Sequence, residues 1–118
     1  MTPDWSLAVA AEIASRRDSL HGLVAEFVRC GSQTGSERAL AELLCHRLAD
    51  RGLPQATIDR AGNVVCRIRG RQPGPAVVLI THLDTSAPGS GAGWASDPLE
   101  PVREGGDDGG CLDLRGHG

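Results

Sequence analysis

Lysine is absent from this sequence: all twelve basic side chains are arginine. A bias in the coding sequence accounts for that more simply than function does, yet it removes every mechanism that needs a Lys amine. It also removes the phosphate-binding loop G-x-x-x-x-G-K-[ST], which cannot exist without its Lys. Strong net charge is missing too. At −3 the chain shows no basic excess for nucleic acid or an anionic membrane surface. Cys30, Cys45, Cys66 and Cys111 include no C-x-x-C pair, a spacing that fits neither a zinc ribbon nor a small disulfide-stapled fold. They read as mostly buried, reduced small hydrophobes of a cytoplasmic protein. No apolar run approaches membrane-spanning length. The opening stretch MTPDWSLAVAAEIASRRDSL lacks a basic leading region and breaks its apolar residues with Glu12, unlike a secretory signal. H-E-x-x-H, G-x-S-x-G and a G-x-G-x-x-G between strand and helix are absent as well.

What remains is a globular composition, 40% hydrophobic and 23% charged, in 118 residues: enough for one core and too little for two. Thr2, Pro3 and Asp4 read as a helix start. Leu7, Val9, Ala10, Ile13, Ala14, Leu20, Leu23, Val24, Phe27 and Val28 then recur at mostly helical spacing. This predicts one long helix, or two with a joint near Asp18, ending by Gly31. In TGSERALAELLCHRLADRG, Thr34 and Glu37 form a capping box and Leu40, Leu43, Leu44 and Leu48 an apolar stripe, with Gly52 as the stop. His21 and His46 fall in these helices as surface or packing residues.

After Pro54 the period changes. QATIDR and NVVCRIRG are short β-rich runs joined at Ala61-Gly62, a hairpin turn. RQPG leads to PAVVLIT, where Val77 to Ile80 is apolar on both faces, as an interior strand of a covered sheet would be. Beyond Thr85 the chain reads as loop, through Trp94, Asp97-Pro98 and the turn at Asp107 to Gly109, until a last strand, CLDLRG, from Cys111. Two helical segments followed by three strands predict an α/β fold with helices packed on a mixed sheet. Its last sheet edge is left open.

One short motif stands out. His82 and Asp84 close the apolar run, and positions i and i+2 of a strand share a face. They converge at the carboxyl end of a strand, where open α/β sheets commonly bind ligands. A neutral imidazole is a good zinc ligand, and a carboxylate can accept its other N–H and fix the tautomer. The pair could equally serve as base and orienter for a nucleophile, or be a polar strand end that meets water. VVLITHLDT also has the outline of the guanine-specificity segment of GTPases, but His82 stands where a Lys is needed and the phosphate loop is absent.

Several stretches, in order, resemble the N-terminal part of the co-catalytic zinc aminoacylase and carboxypeptidase family, which includes acetylornithine deacetylase, succinyl-diaminopimelate desuccinylase and carboxypeptidase G. LVAEFVRCGSQTGSERALAELLCHRLADRGL is similar to its opening helix, Ser/Thr-Gly-x-Glu turn and second helix. IDRAGNVVCRIRG is similar to its Gly-Asn hairpin, VVLITHLDTSAPG to its metal-binding strand, GWASDPLEPV to its Trp-x-x-Asp-Pro loop, and DDGGCLDLRGHG to the approach to its second metal motif. Thr81 and Ser86 depart from the usual Gly and Val, and His117 falls where the family often has a small residue.

The resemblance implies that residues 1–118 are the N-terminal portion of a zinc-exopeptidase-like catalytic domain on a mixed, mostly parallel sheet, incomplete before the second metal motif. It makes His82 a ligand to one metal of a binuclear zinc site, for which cobalt could substitute, and Asp84 the catalytic-site carboxylate that clamps the imidazole. The metal-bridging Asp would follow Gly118, and the Glu-Glu pair, a later carboxylate and a final His lie further on. The implied reaction is metal-assisted hydrolysis of an N-acyl amino acid or small peptide by a full-length homodimer, without nucleic acid or membrane, and residues 1–118 alone would be inactive. The rival expectation is a non-enzymatic α/β binding module with a structural His-x-Asp.

Overall fold

The computed structural model describes residues 5–90, 92–104 and 113–115. The helix start at Thr2 to Asp4, the turn at Asp107 to Gly109, Cys111 and His117 lie outside the described residues. The first apolar-periodic stretch forms two helices, α1 (Trp5–Ser15) and α2 (Arg17–Cys30). Their joint is Arg16, two residues before the expected position, where φ −105 and ψ 5 leave the helical region. Apolar residues recur all round α1 rather than along one stripe, and none of its residues is buried. α2 is more amphipathic and packs on α3 (Arg38–Asp50).

Both helix stops fall where glycine permits them. Gly31 follows α2 at φ +66, and Gly52 follows α3 at φ +82, a left-handed conformation that costs a glycine nothing. At the end of α3, Gly52 N–H donates to the Ala49 carbonyl and Leu53 N–H reaches back to Leu48, satisfying carbonyls the helix leaves open. On α3, Leu40 and Ala41 are buried while Leu43, Leu44 and Leu48 are half-buried, so the expected stripe faces inward. An ion pair fastens this packing. The Arg47 guanidinium forks onto the Glu26 carboxylate, with Nε donating to Oε2 at 2.8 Å, and a further N–H reaches Asp50 at 2.9 Å. That bond to Arg47 holds the Glu26 carboxyl below its usual range and raises the guanidinium pKa.

The expected hairpin is present as β1 (Thr57–Ile58) and β2 (Val64–Val65), antiparallel, with Thr57 opposite Val65. Asp59 organises its turn: Oδ1 accepts the Ala61 and Asn63 N–H groups at 2.8 and 2.9 Å, and Oδ2 accepts the Asn63 side chain at 3.0 Å. The ladder is shorter than the β-rich runs. Past it, Gln55 Nε2 donates to the Arg67 carbonyl at 3.1 Å, a side chain continuing the pairing. The hairpin packs against α3.

The interior strand expected at Val77 to Ile80 is not found in the described structure. That run joins no ladder and its residues are among the most exposed, Leu79 at 93%. An apolar pattern on both faces specifies a strand that other elements cover. It cannot supply the cover, and Pro73 and Pro75 remove backbone donors just before it. The stretch read as loop instead yields β3 (Val102–Glu104), antiparallel to β4 (Asp113–Arg115), part of the expected last strand. Both described ladders are thus antiparallel pairs. The parallel contact among the described residues is a single bridge, Gln33 to Thr85.

Candidate functional site

That bridge belongs to a seam between the α2–α3 linker and the end of the apolar run. Gly31 turns the chain out of α2, and residues 32 to 34 then run beside 83 to 85. Ser32, only 3% exposed, donates its hydroxyl to the Leu83 carbonyl at 2.8 Å, and Thr85 N–H donates to the Ser32 carbonyl at 2.9 Å. The Thr34 hydroxyl donates to Asp84 Oδ2 at 2.9 Å. Thr34 therefore does not cap α3, contrary to the capping-box expectation. The cap position is Glu37, without a side-chain cap bond, and its carboxylate accepts Gly35 N–H at 2.7 Å. A hydroxyl can donate as well as accept, and beside an ionised carboxylate donation makes the stronger bond.

His82 and Asp84 do come together. Imidazole Nδ1 lies 2.8 Å from the Asp84 carbonyl oxygen and 3.3 Å from Asp84 Oδ1. A carbonyl and an ionised carboxylate only accept, so Nδ1 carries the hydrogen, and in the neutral ring the lone pair is on Nε2. The His82 side chain is 81% exposed and that of Asp84 41%, so the lone pair is accessible. As one donor, this imidazole fits a zinc ion: its tautomer is set and its outward nitrogen has no hydrogen-bond partner among the described residues. A complete donor set is not gathered, since no cluster of three or more His, Cys, Asp or Glu side chains suited to a metal occurs among the described residues.

Ser32, Gln33 and Thr85 of the same seam also line a cleft of about 250 Å³, together with Cys30, Ser36 and Leu99, and neither His82 nor Asp84 is among its lining residues. Its polar groups are hydroxyls and an amide. The loop after Asp84 folds back on itself: Trp94 Nε1 donates to the Pro88 carbonyl at 3.1 Å, and Asp97 turns the chain by accepting Leu99 N–H at 2.9 Å. Glu100 then pairs with Arg29 of α2, which anchors the loop beside the cleft. That bond holds the Glu100 carboxyl below its usual range and raises the Arg29 pKa. Of the other described histidines, His46 is exposed on α3 and His21 is half-buried on α2. Cys30, Cys45 and Cys66 are unpaired and half-buried, less enclosed than expected. No described helix is long and apolar enough to cross a membrane.

Sequence reasoning found His82 and Asp84 but missed the seam. The Ser and Thr of GSQTGS were its only local signal, and a helix start explains them equally well.

The chain is similar to succinyl-diaminopimelate desuccinylase of Bordetella avium (strain 197N), at 33% identity over 84 residues. The matched stretch is 71% of this chain and 22% of that protein, so the chain spans about a fifth of the relative's length. Only 34 of the 118 residues fall outside such a stretch, so wherever it begins it takes in His82 and Asp84. No family model matches the chain, and no solved structure does.

Proposed function

We propose that this chain is the amino-terminal part of the catalytic domain of a metal-dependent amidohydrolase, built on an α/β fold with a mixed, mostly parallel sheet. In this reading His82 is a zinc ligand through Nε2, and Asp84 holds its imidazole. The observation that carries the proposal is the ring itself: Nδ1 faces two acceptors of Asp84, and the exposed ring has no hydrogen-bond partner at Nε2 among the described residues. The similarity to a desuccinylase supports hydrolysis of an amide bond in a small N-acylated substrate, such as an N-succinyl or N-acetyl amino acid.

When bound, divalent zinc lowers the pKa of a coordinated water and polarises an amide carbonyl. The described residues contribute orientation: Asp84 fixes the tautomer, and the seam fixes Asp84. Since a catalytic zinc needs about three protein ligands, the chain alone is expected not to turn over substrate.

The test expresses the full reading frame that contains this chain and follows amine release from N-succinyl and N-acetyl amino acids. Zinc-dependent release is expected, absent in His82→Ala and reduced about 10- to 100-fold in Asp84→Ala. Hydrolysis that survives both chelation and His82→Ala would exclude the proposed role.

A further inference from the structure

The Thr34 side chain is exposed, so the core does not require it. Yet its hydroxyl reaches across fifty positions of sequence to Asp84 Oδ2. The second carboxylate oxygen, Oδ1, is the one beside His82 Nδ1. An Asp side chain can occupy more than one staggered χ1 rotamer and turns broadly about its last bond, so it does not select an orientation by itself. A β-branched Thr, in contrast, is stiff at χ1 and offers its hydroxyl from a nearly fixed direction.

We infer that Thr34 is a positioning residue for the imidazole: it pins one oxygen of Asp84 so that the other is held at His82. The inference rests on the reading of His82 as a metal ligand. Three groups then form a relay, from the Thr34 hydroxyl to the Asp84 carboxylate to the His82 ring. Ser32 and Thr85 keep its two ends in register through the seam. The Asp84 carbonyl already takes the Nδ1 hydrogen at 2.8 Å, so the carboxylate is not needed to choose the tautomer. What it adds is negative charge beside the ring, which makes Nε2 a better donor to a cation. That charge helps only while it stays in place.

The experiment compares the 118-residue chain with Thr34→Val, which keeps the shape and removes the hydroxyl, and Thr34→Ser, which keeps the hydroxyl. Without metal, NMR couplings across the Asp84 side chain report its rotamer. Zinc titration, followed on the ring protons of His82, reports affinity at that residue apart from the other histidines. The expected result is one Asp84 rotamer in the unmodified chain and in Thr34→Ser, and averaged couplings in Thr34→Val. Zinc binding at His82 should weaken about 3- to 10-fold in Thr34→Val, the range for one lost hydrogen bond, and recover in Thr34→Ser. Unchanged couplings and affinity in Thr34→Val would overturn the inference, as would a Thr34→Ser chain that behaves like Thr34→Val. Absence of any zinc response at His82 in the unmodified chain would instead overturn the metal-ligand reading. The two failures are told apart by the couplings, which need no metal.

Discussion

At the scale of single residues, this chain uses polar side chains to hold loops that have few apolar contacts. Asp59 is the clearest case. Its two oxygens accept two backbone N–H groups and the Asn63 amide, and its own N–H donates to the Asn63 carbonyl at 2.9 Å. The bond from the Asn63 side chain, followed by those from the backbone, holds the Asp59 carboxyl below its usual range. The ladder it closes has only two residues on each side, so the turn is a large part of what keeps the hairpin together. Asp59→Ala should therefore open β1–β2 while α3 stays folded. Hydrogen exchange would show it, as faster exchange at Asn63 with unchanged protection in the middle of α3. Loss of protection in both places would mean that the hairpin and helix unfold as one unit.

At the scale of elements, the described structure leaves apolar surface without a partner. The run from Val77 to Ile80 combines β-branched and aliphatic residues with no charge, and its four side chains are 73% to 93% exposed. Such a segment is a template for intermolecular strand pairing. Leu79→Lys places a charge in its middle without touching a buried side chain. It should lower concentration-dependent association of the 118-residue chain in sedimentation, with helical circular dichroism unchanged. Association that persists in Leu79→Lys would assign the stickiness elsewhere, with exposed Trp5, Leu7 and Ile13 of α1 as the next surface to test.

The same contrast explains which elements were legible in the sequence. The α3 stripe, the stops at Gly31 and Gly52 and the hairpin turn are local signals, each decided within a few residues of itself. His82 and Asp84 were legible because two positions on one strand-like segment suffice to bring them together. The seam was not. It joins residues about fifty apart, and Thr34 reads as a helix cap until Asp84 is placed beside it. Burial of Val77 to Ile80 was overread, because an apolar run states what a segment needs rather than what surrounds it.

At the scale of the whole molecule, the radius of gyration is 17.1 Å, where a compact domain of this length would have about 13–14 Å. Leu40 and Ala41 are the buried hydrophobic residues among those described. With so little apolar burial, specific polar contacts weigh more in the balance, and acid should expose that. Glu26, Asp59 and Glu100 each have a folded pKa below the ordinary carboxylate value, caused first by Arg47, by the Asn63 side chain and by Arg29 respectively. The unfolded chain therefore binds more protons than the folded one in this range, and stability rises with pH there. The contribution is complete above the unfolded values near about pH 4 and drains as pH falls through the lower folded values. Salt separates its parts. The Glu26 and Glu100 pairs are partly or largely exposed and should be screened at about 1 M salt, whereas Asp59 has neutral hydrogen-bond partners and should keep its share. Denaturant unfolding at about pH 7 and about pH 3, at low and high salt, reads this directly. The expected pattern is a loss of stability in acid that salt reduces but does not remove and that Asp59→Ala reduces further. A midpoint that holds or rises on acidification would show that these carboxylates do not support the folded state.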